Sequence, residues 1–110
     1  MKNMMEMMNI MKKAQAVQSQ MSTVQNKMNA TEFTGEAAGG AVKITVNGKF
    51  EAKKVSVDAS VVNKEDVETL EDLILVAINN ARSVVEEANA KAFDGIKKNL
   101  DLPDNFEFPF

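Results

Sequence analysis

At 110 residues the chain is long enough for one hydrophobic core, and therefore for one domain. It contains no cysteine and no histidine, which excludes disulfides, thiolate metal sites and the mechanisms that depend on those side chains, so we expect no enzyme activity, metal, cofactor or small-molecule substrate. The formal net charge is -3, but residues 1–29 carry four lysines against one glutamate, whereas residues 59–100 carry five basic and eight acidic residues.

The first predicted element is a long amphipathic helix. Its apolar seam steps alternately by three and four residues through three heptads and consists of Met7, Ile10, Ala14, Val17, Met21, Val24 and Met28. A second stripe with the same spacing, on another side of the helix, consists of Met1, Met4, Met8 and Met11. The first half of the helix is therefore apolar on two sides, and one of these sides has no obvious partner within the chain.

Polar residues interrupt the methionine-rich start of this helix. Charged or amide side chains at positions 6, 9, 12 and 13 break the apolar run, so it is neither the hydrophobic region of a signal peptide nor a membrane span. We therefore expect a cytoplasmic protein without a membrane partner.

Three short strands are predicted after the first helix. Apolar or small residues alternate with polar ones from Thr31 to Gly35 and again from Val42 to Val46, and the pair Gly39-Gly40 separates the two runs. In the third strand the apolar residues change from even to odd positions, which predicts a bulge or bend near Lys53-Lys54 and pushes these lysines outward.

The turn between the second and third strands has a sequence signal of its own. Asn47-Gly48 is typical of a hairpin, but a two-residue loop would place Phe50 on the polar face of the hairpin. We therefore predict a three-residue loop with Gly48 in the left-handed conformation, which pairs Ile44 with Phe50 and, further along, Val42 with Ala52 and Lys43 with Glu51.

A second long helix is predicted to begin near Asn63, a suitable N-cap followed by acidic residues in the first turn. Its seam again alternates three and four and consists of Val67, Leu70, Ile74, Ala77, Ala81, Val84 and Ala88, widened by Leu73, Ile78 and Val85. The order is α-β-β-β-α, an α+β fold in which a three-stranded antiparallel sheet packs against long helices. We assign residues 1–100 to this single domain and residues 101–110 to an extended tail.

The helices are too long for the sheet. A 27-residue helix is about 40 Å long, whereas three strands make a sheet only about 15 Å wide. The overhanging seams need another surface to cover them, so we predict an obligate homodimer. Its interface is assigned to the methionines Met4, Met8, Met11, Met21 and Met28.

Several blocks of the chain resemble the YbaB/EbfC family of nucleoid-associated proteins. They are Met4, Met8, Met11–Gln15 and Met21 in the first helix, Gly35-Glu36, Gly40 and Val42–Gly48 in the strands, and Leu70–Ile74, Ala77, Asn79 and Ala81 in the second helix. Val57-Asp58, Leu102-Pro103 and Pro109-Phe110 match shorter blocks, although Ala59 stands where the family has proline. The resemblance spans nearly the whole chain and implies a helix-covered sheet, a dimer, and binding to DNA whose conformation it alters.

Lysines are the candidate contacts to double-stranded DNA. No helix carries a recognisable set of base-reading side chains, so we expect contacts to the phosphate backbone and to DNA shape, with weak sequence preference. The candidates are Lys12, Lys13 and Lys27 in the first helix and Lys43, Lys49, Lys53 and Lys54 in the hairpin. A solvated helix face and protection of an edge strand explain the same lysines.

A different class of function remains open at this point. The methionine-rich helix or the tail, in which Phe106, Phe108 and Phe110 alternate with other residues, would suit an adaptor that binds another protein. Salt-dependent binding to DNA separates the two hypotheses, because only phosphate contacts weaken steeply as salt rises.

Overall fold

The computed structural model describes residues 2–102 and confirms the α-β-β-β-α order of an α+β fold. The elements are α1 (Lys2–Ala30), β1 (Glu32–Ala37), β2 (Val42–Asn47), β3 (Ala52–Val57) and α2 (Val67–Asn99), with single 3-10 turns at Ala38–Gly40 and Ala59–Val61. The tail predicted over residues 101–110 lies outside the described residues from Pro103 onward.

The core lies between α2 and one face of the sheet. The strand order is β1-β2-β3, all antiparallel, and the apolar side chains of the central β2 pack against Ala77, Ala81 and Val85 of α2. The helix backbone comes so close to β1 that a Cβ on Gly35 would overlap the backbone of Ala77 and Ala81. Glycine at position 35 therefore sets how closely helix and sheet pack.

The third strand is left uncovered by this packing. The α2 helix lies over β1 and β2, and all six residues of β3 are exposed. Ile44 pairs with Val55 and Val42 pairs with Val57, so these two β3 valines lie on the helix-side face of the sheet. Val55 is nevertheless 58% exposed. The helix covers two strands and leaves an apolar edge.

The predicted bulge is confirmed, but the predicted hairpin register is wrong. The register shifts between Thr45 and Val46, so that Val46 pairs with Ala52 and Thr45 with Lys54. Ile44 therefore faces Val55 instead of Phe50. The reason is a wider loop, held by the Asn47 side chain, whose Oδ1 accepts hydrogen bonds from the backbone N–H groups of Lys49 at 2.9 Å and Glu51 at 3.1 Å.

Gly48 is needed for a different reason from the one predicted. The left-handed residue of the loop is Phe50, with φ 63°, and Gly48 does not have a positive φ. The backbone N–H of Gly48 instead donates to the Met28 carbonyl at 3.0 Å, and a Cβ at this position would overlap that carbonyl. The hairpin loop is thus attached directly to the last turn of α1.

The start of the second helix lies three residues after the predicted position, since the N-cap is Asp66 and not Asn63. Asp66 is the N-cap, and its carboxylate accepts hydrogen bonds from the backbone N–H of Thr69 at 3.3 Å and from the Thr69 hydroxyl at 2.7 Å. The Asn63 side chain instead accepts from the Glu65 N–H at 3.0 Å. It closes a local turn before the helix begins.

The first helix divides into two halves with different surroundings. Val17 and Met28 are buried, α1 lies against α2, and the loop of the hairpin contacts its end. Residues 3–15, which we call the N-terminal arm, are all exposed. The molecule is correspondingly elongated, with extents of 77 × 23 × 17 Å. The predicted overhang of the helices is therefore present, and the predicted seam is covered only from Val17 onward.

Candidate nucleic-acid interface

The hairpin loop forms the first group of candidate lysines. Lys49 lies in the loop, Lys53 occupies the bulge of β3, and Lys27 immediately precedes the Met28 residue to which the loop is attached. All three side chains are exposed. The fold therefore brings one lysine of the first helix to the same end of the molecule as two lysines of the hairpin.

A carboxylate lies among these lysines. Asn47, which is buried, donates from its Nδ2 to Glu51 Oε1 at 2.9 Å. This hydrogen bond, and the nearby charges of Lys53 and Lys49, lower the pKa of the Glu51 carboxyl. Glu51 therefore stays ionised and offsets part of the positive charge of the group.

The second group lies on the face of the sheet turned away from α2. Lys43 and Lys54 line a shallow groove there, together with Thr34, Glu36, Thr45 and Ser56. The Thr34 and Thr45 hydroxyls are 3.1 Å apart, and Glu36 lies opposite Lys43 in the strand register. This face combines hydroxyl groups with a small excess of positive charge, which suits contact with an anionic backbone.

The third group is on the N-terminal arm. Lys12 and Lys13 are exposed, and Lys13 lies 14 residues before Lys27, which is about 21 Å at a helical rise of 1.5 Å per residue. The structure thus places the seven candidate lysines on the surface in three groups rather than in one patch. Their contact with DNA stays a prediction.

The predicted interface methionines are in three different environments. Met4, Met8 and Met11 are exposed on the arm, whereas Met21 is half-buried. Met28 is 7% exposed and belongs to the core of its own chain, so its side chain is used within the protomer. Sequence periodicity placed all five on helical faces, but it carried no information about which face the sheet and α2 would cover.

A surface that sequence reasoning missed lies beside α2. We call it the sheet-edge surface, and its exposed apolar residues are Phe50, Val55, Val57, Leu75 and Ile78. Leu75, Ile78 and Arg82 share one side of α2 through their spacing, and the Arg82 guanidinium lies 5.9 Å from the centre of the Phe50 ring. That contact places this side of α2 next to the loop that leads into β3. The signal in the sequence was the alternation of Val55 and Val57, from which we predicted only a bulge.

Acidic side chains can form a metal site, and long helices can cross a membrane. Within residues 2–102 no group of three acidic side chains is placed to hold a metal ion. None of the helices in that part of the chain is long and apolar enough to cross a membrane.

The Asp58 carboxylate accepts from the Ser60 backbone N–H at 2.9 Å, and hydrogen bonding by Ser60 lowers the pKa of Asp58. This carboxylate therefore acts as the cap of a short turn.

Known proteins match this chain along nearly its whole length. Residues 2–100 match the model of the YbaB/EbfC DNA-binding family. A nucleoid-associated protein of Paramagnetospirillum magneticum is 44% identical over 93% of this chain and 95% of its own length, and one of Polynucleobacter necessarius is 43% identical over 92% of each. The crystal structure of an uncharacterized Helicobacter pylori protein superposes with a TM-score of 0.61 and 27% identity, over 73% of this chain and 85% of that one.

Proposed function

Because the chain belongs to the YbaB/EbfC DNA-binding family, we propose that it works in the cytoplasm, at the nucleoid, as a homodimer that binds double-stranded DNA and catalyses no reaction. It contacts the phosphate backbone and reads DNA shape with little sequence preference, and it alters the conformation of the duplex. The match over residues 2–100, together with relatives named as nucleoid-associated proteins, carries this proposal.

The lysines supply the attraction to phosphate. Seven exposed candidates in each protomer become fourteen in a dimer, and each that meets a phosphate releases condensed counterions. The acidic residues around the start of α2, from Glu65 to Asp72, repel the duplex. DNA therefore approaches the arm, the hairpin loop or the open face of the sheet, and binding weakens steeply as salt rises.

A second copy covers the sheet-edge surface in the proposed dimer. An uncovered edge strand with apolar side chains invites association, and β3 has free backbone groups along its outer edge because β2 is its only neighbour among the described strands. A two-fold axis at this edge would bury Val55 and Val57 of both copies in one contact. The arms would then project freely from the dimer. The alternative is the methionine interface predicted from sequence, of which Met4, Met8 and Met11 lie on the exposed arm.

Fluorescence anisotropy with a labelled duplex of about 30 base pairs, in salt from about 50 mM upward, tests the DNA proposal. We expect the variant K12E/K13E to bind more weakly. We also expect the negative slope of log affinity against log salt to become less steep by about 0.9 for each phosphate that the variant no longer neutralises. The matched control K64E/K91E makes the same charge change in the acidic part of the chain and should bind far better than K12E/K13E. Absence of binding by a confirmed dimer at the lowest salt would refute the proposal.

Sedimentation equilibrium tests the interface. Val55 and Val57 are exposed in the protomer, so V55D/V57D should remain folded by circular dichroism and yet sediment as a monomer. The matched variant M8D/M11D should remain a dimer. The opposite pattern would place the interface on the arm, as the methionine periodicity predicted.

A further inference from the structure

The N-terminal arm concentrates exposed thioethers. Met4, Met5, Met7, Met8 and Met11 are between 56% and 71% exposed, whereas Met28 is 7% exposed. The chain has no cysteine, so thioethers are its only oxidisable sulfur atoms. Solvent access is what decides how readily such a sulfur is oxidised.

Three of these methionines also share a side of the helix. At 100° per residue, positions 4, 8 and 11 fall within one arc of about 60°. Lys12 and Lys13 follow directly in the sequence. A change in the polarity of these side chains would therefore act on the helical turns that immediately precede Lys12 and Lys13, two of the lysines proposed to meet DNA.

We propose that the arm is a site of peroxide modification, and that conversion of its methionines into methionine sulfoxide weakens DNA binding. The thioether sulfur attacks one oxygen of hydrogen peroxide, so that an S–O bond forms as the O–O bond breaks. The displaced hydroxide takes the proton from the new S–OH group and leaves as water. The sulfur loses two electrons and hydrogen peroxide gains them. This inference rests on the proposed function, because it concerns the same lysines.

The helical structure of the arm is sensitive to methionine oxidation because no other part of the chain within residues 2–102 packs over it. All residues from 3 to 15 are exposed, so the helix there depends on local propensity and on contacts between side chains three and four residues apart. Methionine is a good helix former and an apolar neighbour in such contacts. Its sulfoxide is polar and chiral, so oxidation frays the arm and Lys12 and Lys13 lose their fixed positions. Lys27 stays in place because the hairpin loop is attached to the next residue.

The test oxidises the purified full chain with graded hydrogen peroxide and locates sulfoxides by peptide mass spectrometry. We expect the arm methionines to be modified several times faster than Met28, and DNA affinity, measured by anisotropy on the same samples, to fall several-fold as the arm is oxidised. Methionine sulfoxide reductases should restore the affinity. The variant M4L/M5L/M7L/M8L/M11L keeps the apolar shape, so it should bind DNA like the parent protein and keep its affinity in peroxide.

Each contrary result has a separate meaning. Failure of the unoxidised protein to bind DNA would overturn the proposed function, and this inference with it. Binding that is unchanged after the arm is oxidised would overturn this inference alone. Equal oxidation rates for Met28 and the arm methionines would also overturn it, since a second copy or a collapsed arm would then protect the sulfur atoms.

Discussion

The two halves of α1 share one apolar seam but have opposite environments. Val17 and Met28 are buried within the protomer, whereas Met7 and Ile10, on the same seam, are exposed. The period of apolar residues therefore specifies a helix and its apolar side, but the surface that covers this side depends on where the other elements end. In this chain α2 and the hairpin loop reach only the second half.

The difference between the two halves of α1 should be largest in the free energy of unfolding when one methionine is truncated in each half. Met28→Ala removes a core side chain and should lower the free energy of unfolding by about 2–5 kcal/mol. Met8→Ala, on the exposed arm, should change it by less than about 0.5 kcal/mol. Urea unfolding at one fixed protomer concentration measures both. Equal losses would mean that the arm is covered in solution.

A smaller effect is expected where the hairpin loop meets α1. Gly48→Ala places a Cβ against the Met28 carbonyl and should destabilise the fold by about 1–3 kcal/mol. Gly95→Ala is the matched change, because a Cβ there meets no atom within 4 Å. It should stabilise α2 by about 0.5–1 kcal/mol. Thermal unfolding measures both effects. If the midpoint temperatures of the two variants shifted in the same direction, the special role of Gly48 would be contradicted.

The N-terminal arm should also differ from the packed half in local opening. Backbone amides of residues 5–15 should exchange with solvent orders of magnitude faster than those around Val24, because few tertiary contacts oppose fraying. Hydrogen exchange followed by mass spectrometry measures this difference. Similar protection along the whole of α1 would show that another surface, such as a second copy in the proposed dimer, packs on the arm.

The smallest effect concerns pH. The pKa of Glu51 is lowered in the folded chain, so its stabilising contribution is complete above the ordinary glutamate pKa of about 4.3 and is lost as pH falls through the lowered value. Glu51→Gln removes this dependence. The stability of the parent protein should therefore decrease relative to that of the variant only below about pH 4. A stability difference that stayed constant across this acid range would contradict the assignment.

Local patterns predicted much of the fold. The two seams specified the helices, and the change of phase between Ala52 and Val55 specified the bulge that the register contains. The hairpin register was wrong because one side chain, Asn47, holds a loop that no alternation pattern reveals. The N-cap was wrong for a similar reason, since Asn63 and Asp66 are both good caps and only Asp66 is bonded to the first turn.

The candidate site was predictable in composition but not in arrangement. The lysines of the hairpin alternate with apolar residues, and this alternation was sufficient to place Lys43 and Lys54 on the open face. The approach of Lys27 to the hairpin depends on Gly48 meeting Met28, a contact between residues 20 positions apart. The sheet-edge surface was missed because Val55 and Val57 have the pattern of a covered strand, and the pattern does not reveal that α2 stops short of them.

The bond between the Gly48 N–H and the Met28 carbonyl fixes the C-terminal end of α1 on the hairpin. The helix begins at Lys2 and is buried only from Val17 onward, so the part before Val17 is about 22 Å long. A bend of about 10° where the packing ends would move the tip of the arm by about 4 Å, which is close to one base-pair step along a duplex. Such a bend leaves the buried contacts of Val17 and Met28 in place.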